Sequence, residues 1–422
     1  MKTTRLLLTY LFATIGLLTP NGILADEIDV ADSNGNVLHY TFTGTDGSAT
    51  LASLTSVSAD AAKAGRLIIP ASITDTDENV HVVREIKASA FQNNSSLVSI
   101  DMSGATSLTT VGSYALATSS LREVVFGPAV VAVSANQFKY STNDNFYLTR
   151  VVFNGTYTSI PSSFFSYCSS LKEVVLGDQI TSIESSAFSG TKLRELNLPA
   201  GLTNIGNSAF SGCDSLRTVV IPDNVTSIGS GAFSSCDSLK SVVIGNAVTT
   251  IGSSAFNECR ALKDVTWGQS ITSIGDYAFR YTILSKVVLP NSVQTVGNYA
   301  FAGINSLEEF EFGENVQSIN RYIFQNGSYT YFYLKRVVFN GKYTSIPESF
   351  FSYCSTLEEV VLGDQITSIE SSTFSGKKIR EITFPEGLLS IGSSAFSNCD
   401  SLRTVVIPDN VTCIGSSAFS SC

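Results

Sequence analysis

The chain has 422 residues, only 15% of them charged, and its 36 acidic against 26 basic residues give a net charge of −10. That balance argues against nucleic acid as a partner, because phosphate binding draws on a surplus of Lys and Arg. The length would allow two or three ordinary domains, yet Ser, Thr, Gly, Val, Ile and Phe recur in a fixed order that points to a more regular architecture.

Residues 1–25 read as a secretory signal. Lys2 and Arg5 form a positive start, Leu6 to Leu18 is an apolar stretch, and Thr19-Pro20-Asn21-Gly22 breaks it. Ile23-Leu24-Ala25 then places cleavage after Ala25. The apolar run is too short for a membrane anchor, which needs ~20 residues. No later stretch qualifies, and no Cys lies near the cleavage point to carry a lipid. The mature chain is expected to be secreted or at the cell surface, with no transmembrane segment.

Residues 26–82 carry no repeat. Ile28-Asp29-Val30 and Val37-Leu38-His39-Tyr40 flank Asp32-Ser33-Asn34-Gly35-Asn36, which predicts a β-hairpin with an Asn-Gly turn. A calcium loop on Asp32, Asn34 and Asn36 would also need a Gly after Asn36 and a distal Glu, and both are missing. The segment is expected to cap the first coil of a repeat array.

Residues 83–422 are repeats. One unit runs Leu216-Arg217-Thr218-Val219-Val220-Ile221-Pro222-Asp223-Asn224-Val225-Thr226-Ser227-Ile228-Gly229-Ser230-Gly231-Ala232-Phe233, and the next begins at Leu239. From Phe165 to Phe419 the marker Phe returns every 22 or 23 residues, with one step of 27. Phe91, Leu116 and Phe138 extend the series to about fifteen units. Each unit predicts a short strand with Leu, Val and Ile pointing inward, a turn, a second short strand, and a compact S-x-A-F turn of helical or 3₁₀ type. No unit can enclose its own apolar residues, so neighbours must stack, with strands ~4.8 Å apart.

The L-x-x-V-x-I-P-x-x-V-x-x-I-G-x-x-A-F-x-x-C pattern, as in Leu216 to Cys236 and Leu402 to Cys422, resembles the BspA-like leucine-rich repeat surface proteins. The resemblance implies a right-handed solenoid arc of 22–23-residue units, with short parallel strands on its concave face. It also implies an exported, adhesin-like protein that engages a protein or glycan ligand, host extracellular matrix or host cells among them. The position of the usual Asn ladder holds Asn224, Gln179, Ala247, Ser270 or Gly201, so no regular Asn ladder is expected. Above the short period lies a longer one. Val151 to Cys236 and Val337 to Cys422 are nearly identical and 186 residues apart, the mark of a duplicated eight-unit block. Duplicated binding surfaces gain avidity. The sequence stops at Cys422 inside a unit without a C-terminal cap, which predicts either a longer protein or a covering partner.

No catalytic role or cofactor is expected. The two histidines, His39 and His81, lie in the cap segment, and no nucleophile elbow, phosphate loop or H-E-x-x-H motif occurs. Seven of the eight cysteines follow a unit's Phe by three residues. They read either as small apolar side chains in a turn or as disulfides between neighbouring coils, which an exported protein permits; metal binding is disfavoured because no His flanks the column.

Two surfaces are candidates for binding. The outward strand position reads Val220 and Val243, flanked by Arg194, Arg217, Lys240 and Lys263. Strand propensity alone could account for the valines, whereas a long exposed apolar stripe suits a ligand. The second candidate is the pair of insertions at 140–147 and 329–333, where Tyr147 and Tyr333 join Tyr157 and Tyr343 as aromatic anchors. The competing class is a structural or antigenic spacer that displays another domain.

Overall fold

The computed structural model describes residues 12–13, 27–31, 37–43, 51–57, 65–74, 78–92, 94–133, 137–138, 147–166, 168–325 and 333–422. They form two compact units, Met1–Gly201 and Leu202–Cys422. Both are parallel β-solenoids, with about 13 turns in all among the described residues, slightly fewer than the fifteen units counted in the sequence.

In the first unit, Glu27–Ala31 and Val37–Thr43 pair antiparallel, with Val30 opposite Leu38 and Ile28 opposite Tyr40. This is the expected hairpin; its turn, and with it the calcium-loop reading, lies outside the described residues. Phe12–Ala13 adds a short antiparallel edge to Glu27–Ala31. Leu51–Val57 continues the sheet and then pairs parallel with Val80–Ile86, whose end pairs parallel with Thr110–Val111. This sheet therefore runs straight into a solenoid ladder. A second ladder starts at Arg66–Ile68, which pairs parallel with Ser99–Asp101 and so takes its first strand from inside the 26–82 segment. That ladder continues through Glu123–Phe126, Arg150–Phe153 and Glu173–Val175.

The second unit repeats one coil plan. Thr218–Val220, Ser241–Val243 and Asp264–Thr266 form one parallel ladder in strict register. Ser227–Ile228, Thr250–Ile251, Ser273–Ile274 and Thr295–Val296 form another. Between them lie the inward columns: Leu216, Val219, Ile221, Val225, Ile228 and Phe233 are all buried. The last coil leaves Ile414, in the same column as Ile228, 51% exposed.

Among the described residues no helix forms at the S-x-A-F turns. The residue two before the marker Phe sits in the left-handed region, as at Ser208 (φ 54°) and Ser254 (φ 58°). This interrupts a right-handed run, and the freed N–H groups donate to the next coil instead. Ser208 N donates to Ser230 O at 2.8 Å, and Phe210 N to Ala232 O at 2.7 Å. The turn is thus a third inter-coil ladder. Coils approach so closely at the Gly after the second strand that a Cβ on Gly252 would lie 2.6 Å from Ser230 N. A side chain at Gly252 would push these two coils apart, whereas Glu184 and Glu370 take the equivalent position in coils that stay in register.

Phe rings complete the stack. Phe210, Phe233, Phe256, Phe279 and Phe301 lie face to face, with successive centroids 5.2, 5.4, 5.2 and 5.5 Å apart. The run is interrupted where Phe310 inserts edge-on between Phe301 and Phe324. In place of an Asn ladder, Thr249 and Thr272 each donate a hydroxyl hydrogen bond of 3.1 Å to the carbonyl of the Thr one coil earlier.

Phe256 is fully buried within its column. Phe256→Ala is expected to cost about 3–5 kcal/mol through lost transfer energy and the cavity left behind. Val220→Thr, at an exposed strand position, should stay within about 0.5 kcal/mol. Denaturant unfolding of both variants measures the contrast.

Candidate functional site

The outward strand face is set by alternation. When Val219 and Ile221 point inward, Val220 must point out, and it is 60% exposed. Val243 stands one coil later at 40%, and Val288 and Val361 have about the same exposure in their own strands. The column is not uniform. Val152 and Val338, which come after the long units, are only 7% and 6% exposed.

In the second unit, Arg217, Lys240 and Lys263 occupy equivalent positions on successive coils, all exposed. The backbone ladder holds them in line: Lys240 N donates to Arg217 O at 2.8 Å and Lys263 N to Lys240 O at 3.0 Å. Lys263 lies 3.6 Å from Asp264, whereas Arg217 and Lys240 have no ion-pair partner among the described residues. Further along the same unit the face is neutralised. Lys286 pairs with Glu309 at 2.8 Å, Lys335 with Glu308 at 3.2 Å, Arg336 with Glu359 at 2.8 Å and Arg380 with Glu358 at 3.1 Å. The Lys286 ammonium, through its hydrogen bond, holds the Glu309 carboxyl below the usual carboxylate range.

In the first unit, Arg122, Lys172 and Arg194 lie on the strand face, all three exposed. Arg150 bridges Glu123 and Glu173, the latter at 2.9 Å. The five candidates Arg217, Val220, Lys240, Val243 and Lys263 thus share one face of the second unit, and Arg194 belongs to the first.

The four tyrosines divide. Tyr147 is 43% exposed, with the Arg122 guanidinium 4.7 Å above its ring, and Tyr333 is 59% exposed. The rest of each insertion, 140–146 and 329–332, lies outside the described residues. Tyr157 and Tyr343 are not surface anchors. Tyr157 is 3% exposed and packs edge-on against Phe126 and Phe153; Tyr343 is 5% exposed and does the same against Phe312 and Phe339. Burial raises the pKa of both phenols. Each stands where coils with two extra Phe rings need an aromatic filler, a contact that spacing does not reveal.

A second aromatic cluster escaped the sequence reading. On the turn edge of the second unit, Tyr277, Tyr299 and Tyr322 stack with centroids 5.1 and 5.5 Å apart. The Arg280 guanidinium lies 5.3 Å from the Tyr277 ring and 4.3 Å from the Tyr281 ring, and the Arg321 guanidinium 4.6 Å from Tyr322. A cavity of about 570 Å³ opens beside Tyr281, lined also by Arg260, Thr282, Ile283 and Asn305. The signal was present: three consecutive units carry Tyr two residues before the marker Phe, where Ser or Gly stands in most others.

The cysteine column consists of free thiols. Cys236 Sγ donates to Phe210 O at 3.2 Å, and Cys259 Sγ to Phe233 O at 3.1 Å, so the thiols bridge coils by hydrogen bonds rather than by disulfides. Burial pushes the Cys354 thiol up to about 12. Among the described residues no group of three or more His, Cys, Asp or Glu side chains is placed to hold a metal ion, and no helix is long and apolar enough to cross a membrane.

The chain matches the BspA type leucine rich repeat region in segments 71–145, 142–263, 232–337 and 326–422. It is similar to a solved leucine-rich repeat protein from Bacteroides ovatus, 26% identical with a TM-score of 0.59, over 91% of both chains. It is also similar to a leucine rich cell surface protein from Faecalibacterium prausnitzii, 22% identical with a TM-score of 0.35, over 79% of this chain and 94% of that one. A third similar structure is the pneumococcal vaccine antigen PcpA, 17% identical with a TM-score of 0.36, over 79% and 93%. Among curated proteins none matches.

Only Cys413 and Cys422 are exposed among the eight cysteines. Thiol titration at pH 8 is expected to read two groups in the native protein and all eight in denaturant, since the buried thiols are out of reach of the reagent until the chain unfolds. A native protein that reads none, and still fewer than eight when unfolded without reductant, would establish disulfides.

Proposed function

This chain belongs to the BspA-type leucine-rich repeat family, and from that membership we propose that it is an exported, adhesin-like binding protein whose outward strand face engages a host matrix protein or cell-surface ligand. The observation that carries the reading is the pairing of an exposed apolar strip, Val220 and Val243, with Arg217 and Lys240, two cations that no carboxylate neutralises among the described residues. Surface charges serve solubility equally well when they pair with one another, as Lys335–Glu308 and Arg380–Glu358 do. Unpaired cations in line instead create a local positive potential, which steers an acidic partner and sets its register.

The duplicated block adds support. The column reads Arg122, Thr149, Lys172, Arg194, Arg217 in the first copy and Glu308, Lys335, Glu358, Arg380, Arg403 in the second. Between the copies the column residue changes sign at 122/308 and 172/358 and gains a charge at 149/335, while 194/380 and 217/403 keep Arg. One copy is cationic and the other is alternately charged and largely self-paired. That pattern supports two faces of different affinity more than a passive spacer, for which the sign of surface charge is indifferent.

The double variant Arg217→Glu, Lys240→Glu is expected to weaken binding to a panel of matrix proteins and cells about tenfold, mostly through the association rate and with a reduced salt dependence. Unchanged binding would remove the strand face from the proposal. Deleting residues 151–336 joins Arg150 to Val337 in register and leaves one copy of the block. An adhesin should then lose affinity or avidity, while a spacer would lose only reach.

A further inference from the structure

The turn edge of the second unit carries a feature that the strand face does not use. In most described coils the residue two before the marker position takes up its left-handed backbone with a small side chain or none: Ser at 89, 163, 186, 208, 254, 349, 372, 394 and 417, and Gly at 231. Tyr277 and Tyr299 hold the same conformation at φ 59°, as Tyr114 does in the first unit. A residue with a Cβ is uncommon in this conformation. Apart from Gly231, all these coils hold the left-handed conformation with a Cβ-bearing residue, and in the second unit Tyr277 and Tyr299 place a phenol there.

These phenols form a ridge. Tyr277, Tyr299 and Tyr322 stack on successive coils, and the faces at the two ends are covered by Arg280 and Arg321. With faces occupied, the ridge offers its hydroxyl-bearing edges, one every ~5 Å along the ladder. The two arginines are held by rings instead of carboxylates. Arg280 Nη2 donates to Tyr281 Oη at 2.8 Å, Arg321 Nη2 donates to Tyr322 Oη, and neither arginine has a carboxylate within ion-pair distance among the described residues. Arg280 Nε is buried with no acceptor. On a protein of net charge −10, these are two pre-positioned guanidiniums without an ion-pair contact among the described residues, Arg321 also feeling the field of Glu348.

Beside Tyr281, on which Arg280 rests, lies the cavity of about 570 Å³, with Arg260 and Asn305 in its lining and Ile283, 44% exposed, as its apolar wall. That volume falls within the range of small-ligand sites. Arg260 in its lining is paired with Glu258 at 2.9 Å and lies 3.8 Å from Asp237, so the apolar wall and the amide and phenol groups suit a sugar ring, and the cation without a carboxylate partner is Arg280, stacked on Tyr281 at the cavity's side. A second, smaller cavity of about 210 Å³ opens at the far end of the ridge, beside Arg321 and Tyr322.

We propose that this edge is a binding site for a linear acidic polysaccharide. One carboxylate- or sulfate-bearing sugar occupies the cavity against Ile283 with its anionic group toward Arg280, and the chain's hydroxyls run along Tyr277, Tyr299 and Tyr322 toward Arg321. An acidic peptide fits less well, because the ridge presents phenol hydroxyls and no unpaired strand edge to extend. The site is separate from the strand face and stands or falls without it.

Binding of the full chain to heparin, polygalacturonate, dextran and poly-glutamate by biolayer interferometry tests this. Heparin or polygalacturonate should bind, the stronger of the two identifying sulfate or carboxylate as the anionic group, while dextran should not. Arg280→Gln should lower that affinity at least about tenfold, since a charge-assisted contact is lost. Tyr277→Phe with Tyr299→Phe keeps the stack and should lower it severalfold. Tyr277→Ser with Tyr299→Ser restores the residue of the sister coils, so it should fold and bind no better than Arg280→Gln. The Arg217→Glu, Lys240→Glu variant should bind these polysaccharides like the parent. No binding of either acidic polysaccharide, or edge variants that bind like the parent, would overturn the proposal. Equal capture of poly-glutamate, lost in the same variants, would overturn it in favour of an acidic peptide.

Discussion

Everything in this molecule depends on one constraint: a coil of 22 or 23 residues cannot bury its own apolar side chains and must lie directly on another. The spacing is that of parallel strands, and three independent interactions hold to it within each unit. Strand ladders repeat it twice per coil, turn N–H groups repeat it at the left-handed position, and Phe rings repeat it at 5.2 to 5.5 Å in the second unit. Where the coils come closest a Gly stands after the second strand, as at Gly252, whose Cβ would collide with backbone, while coils with Pro161 or Glu184 there keep the same ladders. Stability and regularity thus come from the same contacts.

The constraint has a functional consequence. Once coils are in register, any outward position becomes a column, and a single substitution is placed beside its equivalents automatically. Arg217, Lys240 and Lys263 are aligned by backbone hydrogen bonds that their own side chains do nothing to make. Tyr277, Tyr299 and Tyr322 are aligned in the same way, the first two with a left-handed backbone. Surfaces of this kind vary freely because the core does not sense them.

Packing of the insertions is where reading by pattern fell short. Tyr157 and Tyr343 look in sequence like Tyr147 and Tyr333: aromatic, near an irregular segment, outside the strict repeat. Two of the four are exposed and two are core. The difference is set by Phe126 with Phe153, and by Phe312 with Phe339, rings from neighbouring coils that leave a gap only an edge-on aromatic fills. The cysteines failed to declare themselves for a similar reason. A column at stacking distance fits both disulfides and thiols, and only the direction of each Sγ toward a Phe carbonyl one coil earlier separates them.

What the sequence by itself determined is the periodic part: the solenoid, the inward columns, the hairpin, the duplication and the outward Val and cation column. Each rests on a local period of two or of 22–23 residues, which strand geometry and stacking translate into space without further information. What only the tertiary structure decided is whatever depends on distance between side chains of different coils. It showed which cations lack a partner, which tyrosines are buried, that the S-x-A-F turn bonds outward to its neighbour instead of closing as a helix, and that three tyrosines, two arginines and a cavity share one edge. The physical reason is that period fixes the column a residue joins, while charge pairing, burial and stacking depend on what stands one coil away.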